Sequence, residues 1–162
     1  MKKILFLLIG ISLVFCGCCF NSELKQAKTM IHDGSAECVI LQKGKIVAVE
    51  KGRGISPLLK IYDEKGELMQ NAVIVDKVIG RAAAFITIKG GAVAVHGKIM
   101  SEDAQKLLQE YGIKSSYDLL VPRILNNKRD GLCPLEDSVK NITAPDEAIP
   151  AMRQRIKELR KK

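Results

Sequence analysis

Residues 72–91 read AVIVDKVIGRAAAFITIKGG, and they contain both kinds of pattern from which the fold is built. Ala72-Val73-Ile74-Val75 is an uninterrupted apolar run with the β-branched content of a buried strand. Asp76 follows as an N-cap, and a helix is predicted from 77 to about 88, in which Ala82-Ala83-Ala84 permits close packing. Gly90-Gly91 ends that helix.

The same alternation continues on both sides. Downstream, 92–96 reads as a buried strand, and Ser101-Glu102-Asp103 opens an amphipathic helix with Ala104, Leu107, Leu108 and Tyr111, closed by Gly112. A strand over 117–121 stops at Pro122. After a polar loop over 126–131, Pro134 marks the first residue of a helix reaching Ile142, and 143–162 reads as a terminal helix, kinked or restarted at Pro150. Upstream, Ser22 caps a helix through Ile31, with Gly34 after it. Two apolar runs, 38–41 and 46–49, form a hairpin with Gly44 in the turn. Ser56-Pro57 then offers an N-cap and a first-turn proline, and Gly66 breaks the helix that follows. This order predicts an α/β domain of three layers around one mixed sheet, with a C-terminal helix.

Composition narrows the function classes. The chain has 162 residues, 47% of them hydrophobic, which suits one domain with a real core and leaves no room for a second catalytic domain. Aromatics are only 4% with no Trp, so a nucleic-acid partner recognised by rows of stacked rings is not expected. The net charge of +8 is concentrated at the ends. Lys2 and Lys3 lie at one end, and Arg153, Arg155, Lys157, Arg160, Lys161 and Lys162, opposed only by Glu158, at the other. The body between them is nearly neutral.

The N-terminal end reads as an export signal over residues 1–20, followed by a single domain over 21–162. Lys2 and Lys3 precede an apolar stretch from Ile4 to Phe15 and then Cys16-Gly17-Cys18-Cys19. Cysteines at the end of such a stretch suggest a bacterial lipoprotein signal with Cys18, after the small Gly17, or Cys16 as the lipidated residue. An exported, membrane-anchored protein is therefore expected. An uncleaved anchor, plain secretion and a cytoplasmic protein with a mis-assigned start codon remain open. In the body, Cys38 and Cys133 have no CxxC partner, and His32 and His96 are the only histidines, so no metal site and no cofactor is expected.

Arg53-Gly54-Ile55 with Pro57-Leu58, the run Asp76-Lys77-Val78-Ile79-Gly80-Arg81-Ala82-Ala83-Ala84, Ser101, and Cys133-Pro134-Leu135-Glu136 together resemble the domain of unknown function family DUF1893. The resemblance covers roughly residues 22–155. It implies the cytidine-deaminase-like fold, in which two helix N-termini face each other across a pocket. Zinc deamination requires a His or Cys two residues before a Glu on one helix and Pro-Cys-x-x-Cys on another, so that three ligands and an acid/base carboxylate surround one water. Here the first segment, 76–84, has no His, Cys or Glu. The second has one cysteine, placed before its proline, so hydrolytic deamination by zinc is not expected.

The implied arrangement would bring Asp76, Lys77 and Arg81 from one helix start and Cys133 and Glu136 from the other to a small cleft. Free N–H groups there would suit an anionic or carbonyl-bearing ligand. A thiol at such a terminus also makes Cys133, with Glu136, a candidate catalytic pair. Arg53 and Gly54, in a Gly-rich link, are candidates to cradle a phosphate, although the Walker spacing is missing. Each residue has a structural role open to it as well: Asp76 as a cap, Lys77 and Arg81 as a solvated face, Glu136 as a first-turn acid, Cys133 as a small buried residue. His96 on an apolar strand reads as a satisfied buried histidine, and His32 as a cation at a helix end. Two functions follow: a module binding a small polar, nucleotide-like ligand or a protein, and a non-zinc enzyme using Cys133 with Glu136 or Asp76. An exposed sheet edge also allows a homodimer.

Overall fold

The computed structural model describes the backbone of residues 17–161 and the side chains of residues 21–161. The export segment over 1–20, with the lipidation candidates Cys16 and Cys18, lies outside the residues whose side chains are described. Among the described residues no helix is long and apolar enough to cross a membrane.

Five strands form one mixed sheet in the order β2-β1-β3-β4-β5. Strands β1 (Cys38–Gln42) and β2 (Lys45–Glu50) are the expected hairpin. Its turn residues Lys43 and Gly44 have φ of 52° and 78°, the two positive values that a type I′ turn needs to match strand twist. β1 also runs antiparallel to β3 (Val73–Ile79), while β3, β4 (Ala94–Ser101) and β5 (Lys114–Val121) are parallel. The connections β3–α3–β4–α4–β5, through α3 (Arg81–Lys89) and α4 (Glu102–Glu110), are the crossovers that parallel neighbours require.

The layers are unequal. Helix α1 (Gly17–His32) covers one face, where Ala27 and Ile31 pack against Val39, Leu41 and Val75. The other face carries α2 (Ser56–Glu64), a 3-10 turn at Gly66–Met69, α3, α4, α5 (Pro134–Val139) and α6 (Pro145–Arg160). Helix α3 is the centre of this larger core. Every residue from Ala82 to Thr87 is buried, and the three alanines let α3 approach the sheet and its helical neighbours closely. The three-layer mixed α/β architecture with a C-terminal helix is as the sequence implies.

Several local expectations are corrected. Asp76 does not cap a helix: β3 runs on through Ile79, and α3 begins at Arg81 behind the extended Gly80. The reason is pairing on both sides. Cys38 opposes Asp76 on one flank and Gly97 opposes it on the other, so ladder hydrogen bonds outweigh the local helix signal. Ser22 is no cap either, since α1 starts at Gly17. Ser56 lies inside α2, and its hydroxyl instead accepts from the Arg53 N–H at 3.3 Å and donates to the Arg53 carbonyl at 2.8 Å. Strand β5 starts earlier than expected, α5 stops at Val139, and α6 runs unbroken through Pro150. Ser101, by contrast, caps α4 as read, accepting from the Ala104 N–H at 3.2 Å.

Candidate functional site

A cleft of about 390 Å³ opens where the end of β3, the loop before α2 and the start of α5 meet. Its volume lies in the range of small-molecule sites. Asp76, Lys77, Cys133, Glu136, Arg53 and Gly54 all line it. The sequence did not single out Glu37, next to β1, or Asn127, in the loop before α5, which also line it. Both are polar residues in segments whose local pattern carries no site signal. Ile55, Leu58, Val78 and Leu135 supply apolar wall.

Asp76 forms the buried base. It projects from the middle of β3 with 6% exposure. One oxygen accepts the Val78 N–H at 3.0 Å, and the thiol of Cys38, its cross-strand neighbour, donates to the carboxylate. Burial pushes the Asp76 carboxyl up to about 7, against the lowering effect of those two hydrogen bonds. The same burial, with the Asp76 carboxylate beside it, pushes the Cys38 thiol well above the ordinary thiol range. The ammonium of Lys77, the next residue, pairs with Glu37 at 2.9 Å, and both residues line the cleft. At the mouth stands the exposed Arg53, in a loop pinned by the Ser56 hydroxyl and turned by Gly54 at φ +58°.

Glu136 closes the N-terminus of α3. Its Oε2 accepts the Arg81 N–H at 2.7 Å and its Oε1 the Ala82 N–H at 3.0 Å, so one carboxylate satisfies two of the orphan donors of that helix. Burial raises the carboxyl, while the two backbone N–H groups pull the other way. Gly80 makes the approach possible, because a Cβ there would lie 2.5 Å from the Glu136 carboxyl carbon. This corrects the expectation that free N–H groups at the α3 start would receive an anion. The protein's own carboxylate already occupies them.

Arg81 is not part of the cleft lining. Its guanidinium donates to the Val139 carbonyl at 3.2 Å and to the Ile142 carbonyl, and lies 5.2 Å from the Phe85 ring centroid. It ties α3 to the end of α5 and to the residues after it. Cys133 does line the cleft, half-buried at the residue before α5. No histidine joins it there, and Glu136 has both oxygens committed elsewhere.

The two histidines of the chain converge away from the cleft. His32 Nε2 lies 2.9 Å from one oxygen of Asp118 and His96 Nε2 3.4 Å from the other, while His96 Nδ1 is 3.0 Å from the Ser116 hydroxyl. His96 is therefore a satisfied buried histidine as read, and His32 has a carboxylate partner that the sequence did not reveal.

The zinc of the deaminase fold does not fit these donors. The cleft offers one thiol and three carboxylates, Glu136 tied to two amides, Asp76 tied to Val78 and Cys38, and Glu37 paired with Lys77, with no imidazole. Among the described residues no group of three or more His, Cys, Asp or Glu could hold a metal ion.

Comparison with known proteins places the chain. A solved DUF1893 family protein from Thermotoga maritima superposes with a TM-score of 0.74 at 26% identity, covering 82% of this chain and 89% of that one. The dCMP deaminase of cyanophage S-TIM5, in apo form, matches with a TM-score of 0.45 at 11% identity, over 62% of this chain and 98% of that one. No curated protein matches. The family model for the domain of unknown function DUF1893 matches residues 26–156, which include every residue of the cleft. The chain belongs to the DUF1893 family.

Proposed function

We propose that this protein is a binding module for a small polar ligand of nucleotide-like build. The observation that carries the reading is the polarity of the cleft: a buried carboxyl, Asp76, at the base and an exposed guanidinium, Arg53, at the mouth. A carboxyl held near neutrality in an apolar wall accepts from or donates to an uncharged head group bearing N–H and carbonyl functions. The base offers an anion no attraction, since the acidic residues Asp76 and Glu136 stand there. The same anion is favoured at Arg53. A base-like head inward and a phosphate-like tail outward satisfy both ends.

The test is calorimetric titration of the full chain with the four ribonucleoside 5′-monophosphates and the matching nucleosides. A saturable site that prefers the monophosphate supports the reading, and the absence of saturable binding by either series overturns it.

A metal-free enzyme using Cys133 with Asp76 is the second reading, favoured by the presence of both groups in one cleft. Turnover of a bound ligand that stops on Cys133→Ser would establish it. The reading also includes delivery of the domain through residues 1–20 and anchoring at Cys18 or Cys16, supported by the sequence of that segment. Incorporation of labelled palmitate that is lost on Cys18→Ser tests the anchor.

A further inference from the structure

Strand β5 is an edge of the sheet, with β4 on one side and no strand on the other among the described residues. It is eight residues long and contains no proline or glycine to discourage pairing. Its hydrogen-bonding parity follows from one contact: the Lys114 N–H donates inward to Val93, beside β4, at 3.1 Å. The pairing with β4 keeps a constant register along the strand, so the even-numbered backbone groups of β5 face β4 and those of Ser115, Tyr117 and Leu119 face outward, unpaired. Tyr117 and Leu119 are also exposed large apolar side chains, at 38% and 54%.

We infer that this edge pairs with a second copy of the chain, antiparallel about a two-fold axis that places Ser116 opposite the partner's Ser116. A two-fold axis demands antiparallel strands and a self-complementary surface. In this register Ser115 and the partner's Tyr117 exchange outward N–H and C=O groups, and the same exchange recurs across the axis. Lys114 then falls opposite the partner's Asp118, again twice. These are positions of the non-hydrogen-bonded type, where facing Cα atoms approach to about 4.5 Å and side chains meet most closely. Backbone parity restricts the axis to registers centred on a residue, and charge selects the one at Ser116 among them. Moving the axis to Tyr117 keeps the parity but sets Lys114 against the partner's Leu120. The Asp118 side chain, 39% exposed beside His32 and His96, keeps room for the ammonium. The product is a continuous ten-stranded sheet.

Sedimentation of the full chain over a range of concentrations, with charge variants, tests this. The expected result is a reversible dimer that Lys114→Glu weakens by about tenfold or more, through two like-charge contacts, and that Lys114→Glu combined with Asp118→Lys restores. A monomer at all concentrations overturns the inference, as does a dimer indifferent to Lys114→Glu. Because Asp118 also holds two histidines, a measurement that leaves Asp118 in place is added: Ser116→Cys should give an intermolecular disulfide under mild oxidation, with the linked peptide identified by mass. Cross-linking through Ser115→Cys in preference to Ser116→Cys contradicts the register.

Discussion

The backbone N–H of Ala82 on α3 donates to the carboxylate of Glu136 on α5 at 3.0 Å, across 54 residues of sequence. Glu136 caps a helix that is not its own, and this one contact fixes the wall between cleft and core. Removing it by Glu136→Ala leaves the Arg81 and Ala82 N–H groups without their acceptor, and a loss of about 2 kcal/mol of stability is expected in urea unfolding. Gly80→Ala should lose a similar amount by expelling the same carboxylate. The two losses report one contact, so the double variant should fall short of their sum by about 1 kcal/mol or more. Strict additivity would show that the cap is not what Gly80 protects.

The pH dependence of stability follows from Asp76. An unfolded aspartate releases its proton near pH 3.9, roughly, whereas burial delays release in the folded protein to about 7. Between those values the folded state holds more protons than the unfolded state. Stability therefore falls as pH rises through that window and levels off above it. Glu136, raised by burial as well, contributes with the same sign. Unfolding midpoints at roughly pH 5 and pH 8 should show the native chain less stable at the higher pH, and Asp76→Asn should shrink that difference. An unchanged difference would remove Asp76 as its source.

Arg81 is expected to act on stability alone. Arg81→Met keeps the packing over Phe85 but loses the donors to Val139 and Ile142, with an expected loss of about 1–3 kcal/mol and no change in ligand affinity per folded molecule. Weakened binding by the folded fraction would put Arg81 back in the cleft.

The two body thiols should differ in reactivity. Cys38, wholly buried with its proton held by Asp76, should resist alkylation until the chain is denatured, while Cys133, half-buried in the cleft wall, reacts in the native state. Site-resolved mass spectrometry after iodoacetamide treatment separates them. A nucleotide bound in the cleft should slow the labelling of Cys133 and leave Cys38 unaffected.

Where one residue type settles local geometry, the sequence was readable. Gly44 in the hairpin, Ser101 before α4 and Pro134 at the start of α5 act within a few residues of themselves and were placed as found. Asp76 misled because an aspartate after four apolar residues has the local pattern of an N-cap; only the pairing of β3 with Cys38 on one side and Gly97 on the other makes it a strand residue. Arg53, Gly54, Asp76, Lys77, Cys133 and Glu136, all singled out in the sequence, lie around one cleft, whereas Arg81 does not, and Glu37 and Asn127 carried no local signal. What no local pattern could supply was the partner of each: Glu136 with Ala82, Cys38 with Asp76, and His32 with Asp118 are all tertiary pairs.

The claim that Asp76 reads the head and Arg53 the tail of a nucleotide-like ligand is tested most directly by titrating the native chain, Asp76→Asn and Arg53→Ala with one nucleoside 5′-monophosphate and its nucleoside. Asp76→Asn should weaken both ligands by about tenfold or more, and Arg53→Ala should weaken only the monophosphate. If the native chain shows no saturable heat with either ligand up to roughly 1 mM, or if Asp76→Asn binds both as the native chain does, the cleft is not a site of this kind.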